Sequence, residues 1–228
     1  MTIPTSIVTI LYRTVVRLIV LLTALPFHEC AHAWMANKLG DSTAKNQGRL
    51  TLNPLKHLDP MGAVLMLVAG FGWANPVPVN PYNFKNRKGG MALTALAGPL
   101  SNLLLAFLCT VVYKVLIYCG YAASGFLAET LSSLASAFFL MISLNVGLGV
   151  FNLVPIPPLD GSRILNLILP EKTYFQIMKY ERIIMLALFA AIFLGLLDGP
   201  LNFVEGQVYR LLNLLTRFVD WIAIAVLG

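Results

Sequence analysis

Charge is what this chain has little of. Of its 228 residues 11% are Asp, Glu, Lys or Arg, against about 25% in a typical soluble domain. Hydrophobic residues make up 58%, and the mean hydropathy is +0.78. So few charges cannot cover a water-facing surface, which excludes an ordinary soluble domain, and so apolar a chain is no disordered one. The net charge of +6 does not make it a nucleic-acid reader: its 16 Lys and Arg residues sit in short loops between apolar runs and form no single stripe. Cysteine is scarce too. Cys30, Cys109 and Cys119 make an odd set with no CxxC pair, all in apolar stretches, and read as buried inert thiols, not a disulfide scaffold. There is no internal repeat and no low-complexity linker. No cleavable signal peptide is expected, because the apolar run 7–25 leads into a polar, charged cluster and not a small-residue cleavage site. What remains is an all-α polytopic membrane protein, whose helices can be apolar all round because lipid is their solvent.

A spanning helix needs about 20 apolar residues. The candidate runs are 6–39, 61–73, 91–118, 126–154, 183–197 and 208–227. The second has 13 residues and reads as a re-entrant or tilted half-span. The expectation is about four to six transmembrane helices plus this short element, organised as one membrane-embedded domain over 1–228. Basic residues set the orientation. Lys38, Lys45, Arg49, Lys56, Lys85, Arg87 and Lys88 lie in one connection, and Arg163, Lys172, Lys179 and Arg182 in another. The stretch around 114–129 has one basic residue, and 198–207 has none. The positive-inside rule makes both basic loops cytoplasmic and the N-terminus external. Arg13 and Arg17 then lie toward the outer end of the first span, where they can snorkel.

The first run ends in LPFHECAHAW, which contains His28, Glu29 and His32 as an HExxH pattern. On a helix, positions i and i+4 share a face, so the two imidazoles can reach one zinc ion at about 2.0–2.1 Å. Glu29 can then serve as general base toward an attacking water. Three polar side chains are costly inside an apolar span unless partnered, and a metal partners them.

A catalytic zinc usually takes three protein ligands. His57 and Asp59 are near in sequence, within LTLNPLKHLDPMG. The other candidate is Asp160, in FNLVPIPPLDGSRIL, where Pro155, Pro157 and Pro158 stop the preceding helix and Gly161 permits a tight turn. An unwound segment at membrane depth is tolerated where it lines a cavity. Asp160 could equally be the N-cap of the helix that follows.

Taken together, HECAH, GRLTLNPLKHLDPMG, FGWANPVPVNPYNF, LAGPLSN and FNLVPIPPLDGSRIL, in this order over about 25–165, resemble the site-2 protease family of intramembrane zinc metalloproteases (peptidase family M50). The small size, with no evident PDZ or CBS region, resembles its compact bacterial and archaeal members. The resemblance implies that His28, His32 and Asp160 hold one zinc ion per chain and that Glu29 is the catalytic base. It also implies a Pro-rich unwound segment at the active site, and an amide of Asn152 turned toward the site to stabilise an oxyanion or hold substrate. A plain interhelical hydrogen bond is the alternative for Asn152. Asn102 reads as structural, beside Gly98 and other small residues that allow close packing. The Pro-rich stretch 72–81 cannot be helical and reads as an edge for an extended peptide, or as a connector.

The expected activity is therefore hydrolysis of peptide bonds in or near transmembrane segments of membrane-protein substrates. Partners are such substrates and the lipid bilayer, with no nucleic acid. The expected place is the cell membrane, multi-pass, with the active site toward the cytoplasm. Two other readings compete. In a small channel or transporter His28, Glu29, His32 and Asp160 would line an ion path, but Glu29 would then have no distinct role. An inactive scaffold would not need every residue of the zinc chemistry.

Overall fold

The computed structural model describes residues 14–15, 18–19, 22–69 and 74–227. Much of the first apolar run, with Arg13 and Arg17, and the end of the second run, 70–73, lie outside them. Among the described residues the secondary structure is helical apart from one isolated antiparallel bridge, Leu58 to Ala74. The helices are α1 (Ala24–Lys38), α2 (Thr43–Asn46), α3 (Pro60–Ala69), α4 (Arg87–Ala122), α5 (Gly125–Leu153), α6 (Gly161–Ile168), α7 (Glu171–Lys179), α8 (Glu181–Phe193), α9 (Asp198–Leu215) and α10 (Arg217–Leu227).

Two helices are long and apolar enough to cross a membrane: α4 with 36 residues and α5 with 29. At 1.5 Å per residue they measure about 54 and 43 Å, more than the roughly 30 Å hydrocarbon core. A third span results if α8 and α9, which meet at an 83° bend, count as one. The chain is thus an all-α membrane protein. The run 208–227 differs from expectation, because it is divided at Thr216 into α9 and α10. The Thr216 hydroxyl donates to Leu212 O, and the Val219 amide turns back to Thr216 O. A hydroxyl that bonds the preceding turn competes with continuation of the helix.

The chain forms two compact units. One comprises 1–101 and 152–189, the other 102–151 and 190–228. The second unit is built round Ala106 and Cys109 of α4, Ile142, Val146 and Val150 of α5, and Leu212 of α9. Helix association in lipid depends on close packing, since lipid tails are as apolar as Leu, and small Ala106 permits it. Of the three cysteines only Cys109 is buried as expected. Cys30 is half-buried and Cys119 exposed, and all three are free.

The first unit holds the chemistry. Helix α1 buries Leu25, His28, Glu29, His32, Ala33 and Ala36, a stripe at three- and four-residue spacing. Phe27 and Trp34 on its other faces are exposed. The polar residues therefore sit on the covered face and the aromatic ones on the open face. That is the reverse of a water-soluble helix, and fits one that hides a polar site from lipid.

Candidate metal centre

Three side chains converge. His28 Nε2 and His32 Nε2 lie 3.0 Å apart, and Asp160 Oδ2 is 3.0 Å from the first and 3.2 Å from the second. His28, His32 and Asp160 are the one group among the described residues whose ligand atoms cluster for a metal ion, all within 4.8 Å. The histidines come from successive turns of α1. Asp160 arrives from the irregular stretch between α5 and α6, where Ile156 N bonds Val154 O, Leu159 N bonds Ile156 O and Ser162 N bonds Leu159 O. These tight turns bring α6 back against the end of α5. A Cβ on Gly161 would stand 2.2 Å from Leu153 O, so only glycine fits there.

The donor set suits a cation. His32 Nδ1 contacts Thr94 O at 2.7 Å, and a carbonyl can only accept, so the ring proton sits on Nδ1. In the neutral ring, the form that a metal takes, the bare Nε2 lone pair then faces the site. A bare nitrogen beside a carboxylate oxygen is a contact between two acceptors, which is stable when a cation lies between them. Asp160 Oδ2 is also a buried atom with no hydrogen-bond donor. Tetrahedral zinc with bonds of about 2.0–2.1 Å separates its ligand atoms by about 3.3 Å, and the observed triangle is only slightly tighter. The N-cap alternative fails: Asp160 is the first residue before α6, but its side chain makes no capping bond.

His57 and Asp59 are occupied elsewhere. The fully buried His57 ring contacts Thr51 O through Nε2 at 2.8 Å, and Asp59 Oδ1 accepts from the Gly62 amide at 2.8 Å. Both organise the chain leading into α3 and neither joins the cluster. Asn152 is in the last turn of α5, half-buried. Asn102 is buried, as expected of a structural amide.

Four further groups shape the site in ways that the sequence did not show. The first is the Thr94 carbonyl, which orients His32, as ligand histidines are commonly held through their second nitrogen. The second is Gly98, one turn further along α4. A Cβ there would be 2.4 Å from His32 Nε2 and 2.6 Å from His28 Nε2. The motif AGPLSN pointed to close packing of small residues, but not to contact with the two histidines. The third is the amide of Val77, which donates to Glu29 Oε2 at 3.1 Å. Pro76 and Pro78 flank Val77 and have no N–H, so this donor stands alone between them, in a stretch without regular secondary structure.

The fourth is Asp41, just beyond α1. It is fully buried, and its carboxylate accepts from Thr43 N, Thr43 Oγ1, Asn80 N and Asn83 Nδ2. The far end of the Pro-rich stretch is thereby tied to the metal-site helix. The near end is held by Asn75 N to His57 O at 2.8 Å and by Arg49 Nη2 donating to Asn75 O. Of the 72–81 stretch expected to be non-helical, 74–80 is so, 72–73 lie outside the described residues, and Pro81 departs from expectation by opening a 3-10 turn, Pro81–Asn83, since proline suits the first position of a helical turn.

Comparison with known proteins shows the family. The family model for peptidase family M50 matches residues 16–196. The chain is 46% identical over 174 residues to YwhC of Bacillus subtilis, a protein named as a candidate zinc metalloprotease, covering 75% of this chain and 78% of that one. It is 31% identical over 152 residues to Rip2 of Mycolicibacterium smegmatis and 30% identical over 151 residues to Rip2 of Mycobacterium tuberculosis, which carry the same kind of name. The matches to Rip2 cover 61% of this chain and 52% of Rip2, so the chain spans about half of that relative. No solved structure matches significantly.

Proposed function

The chain belongs to peptidase family M50, and from that premise we propose that it is an intramembrane zinc metalloprotease, one catalytic domain that hydrolyses peptide bonds in or near transmembrane segments of membrane-protein substrates. The observation that carries this reading is the meeting of His28 and His32 of α1 with Asp160 within 4.8 Å, beside a Glu29 that is held by a backbone amide.

His28, His32 and Asp160 would hold one zinc ion per chain. When bound, the ion supplies Lewis acidity toward the scissile carbonyl and lowers the pKa of water. The chain's own groups do the rest. Glu29 takes a proton from the attacking water and hands it to the amine as the C–N bond breaks. The Val77 amide engages one carboxylate oxygen of Glu29 and leaves the other for that proton. Thr94 keeps His32 in the tautomer that presents Nε2. Asn152 stabilises the oxyanion or holds the substrate backbone, a role supported by family resemblance.

A substrate helix has its amides satisfied and its carbonyls hindered, so it must unwind locally, most easily at Pro, Gly or Asn. The Pro-rich stretch 72–81 would pair with such an extended peptide. Four to six spans, with the 37–90 and 155–182 loops cytoplasmic, place the site toward the cytoplasmic side. Labelling of single cysteines at Lys45 and Gly120 from opposite sides of the membrane supports that topology; labelling from the same side refutes it.

The experiment that tests the activity is cleavage of a model transmembrane substrate by reconstituted wild type, by Glu29→Gln and after chelation. Only untreated wild type should cleave. Equal cleavage by all three defeats the reading. Ion flux that persists in Glu29→Gln vesicles, with no cleavage by wild type, favours a channel.

A further inference from the structure

We propose that a cationic cavity in the second unit binds the phosphate headgroup of an anionic membrane lipid. The cavity, of about 370 Å³, is lined by Lys114 of α4, by Arg210, Asn213 and Leu214 of α9, and by Arg217 and Asp220 of α10. Its volume lies within the range of about 300–1,000 Å³ usual for small-ligand clefts.

Charge identifies the ligand class. Lys114 Nζ is 2.7 Å from Asp220 Oδ2, and Tyr118 Oη donates to Asp220 Oδ1 at 3.0 Å. The single carboxylate of the cavity is therefore engaged through both oxygens, and Lys114 is neutralised. Arg210 donates only to the neutral Gln207 Oε1, at 3.4 Å. Arg217 is in none of the ion pairs among the described residues, although Asp220 is near enough to feel its charge. Two guanidinium charges thus face one cavity without a counter-charge in contact. Guanidinium is a planar fork that takes phosphate oxygens two at a time, and it stays charged at any accessible pH.

The surroundings identify the source of the phosphate. Leu211 and Leu214 on α9, and Phe218, Trp221, Ile222, Ile224 and Val226 on α10, are exposed large apolar residues. Tyr121, one turn beyond Tyr118, is 81% exposed. An apolar face suited to acyl chains therefore begins within one turn of Arg217. Trp and Tyr collect at the depth of lipid headgroups. Unpaired arginines next to lipid are costly, and the phosphate that lies at this depth in every phospholipid layer removes the cost, more fully when the lipid carries net negative charge. Arg217 is the first residue of α10, directly after the break at Thr216, and lines the cavity together with Arg210 of α9.

The test uses the delipidated full chain in detergent, titrated with phosphatidylglycerol or phosphatidylcholine and read by native mass spectrometry and thermal unfolding. Wild type should bind phosphatidylglycerol at least about tenfold more tightly than phosphatidylcholine, with a matching rise in Tm that fades with salt. Arg210→Gln with Arg217→Gln should lose the preference, whereas Arg182→Gln should keep it. If the double glutamine variant does not fold, Arg210→Lys with Arg217→Lys keeps the charge and loses the fork, and should weaken binding several-fold. Equal binding of both lipids by wild type, or unchanged preference in the double variants, overturns the proposal. So does displacement of phosphatidylglycerol by inorganic phosphate at millimolar concentration, which would make this a site for free phosphate.

Discussion

Gly98 and His32 are in such close contact that a Cβ on Gly98 would stand 2.4 Å from His32 Nε2. Zinc would need nearly the same space, because it bonds histidine nitrogen at about 2.0–2.1 Å. A Gly98→Ala methyl would therefore compete with the ion or push the helices apart. The expected outcome is loss of most bound zinc, seen by elemental analysis, together with loss of proteolysis. Full zinc occupancy in Gly98→Ala would show that α4 can retreat at little cost.

Asp160→Asn separates ligand from cap. Asn and Asp cap helices comparably, and the Asp160 side chain makes no capping bond, so helix α6 should be unaffected. A neutral amide oxygen is a poorer zinc ligand, and zinc should bind at least about tenfold more weakly. Glu29→Gln should do the converse, keeping zinc and lowering turnover by about 10²–10⁴-fold. Competition with a chromogenic chelator measures the first effect, and single-turnover cleavage the second.

Val77→Pro tests the amide that holds Glu29. The change deletes one N–H in a stretch that is already Pro-Val-Pro and outside any helix, so it breaks no helical hydrogen bond. A hydrogen bond to a charged group contributes about 1.5–3 kcal/mol. Turnover should fall by about tenfold to a hundredfold with zinc content unchanged. An unaltered rate would make the 3.1 Å contact idle in catalysis.

Asp41 predicts a pH dependence. Burial alone would raise its carboxyl pKa, but donors from the Thr43 and Asn83 side chains and the Asn80 and Thr43 amides outweigh it and hold the group below its usual value. Its contribution is then fully present above the unfolded value of about 3.9 and lost as pH falls through the lowered folded value. Asp41→Asn leaves buried donors facing an amide NH₂, which should cost about 1–3 kcal/mol at neutral pH. The variant should also flatten the loss of stability below about pH 4. Thermal unfolding in detergent across pH checks both.

The sequence by itself determined what short-range geometry determines. Apolar runs long enough for lipid required α4 and α5, and HECAH on a helix required His28 and His32 to share a face with Glu29 beside them. Prolines at 155, 157 and 158 required α5 to stop before Asp160. Tertiary structure decided the rest, because the remaining partners are backbone groups or are distant in the chain. It brought Asp160 beside His28 and His32, and gave His57 and Asp59 other partners. It brought Thr94 O, Val77 N and the bare Cα of Gly98 to the site, and none of these has a side-chain chemistry that a motif could display. It also broke the last apolar run at Thr216, where composition alone reads as one span. Side-chain type is written in the sequence, whereas the approach of one backbone to another depends on how whole helices pack.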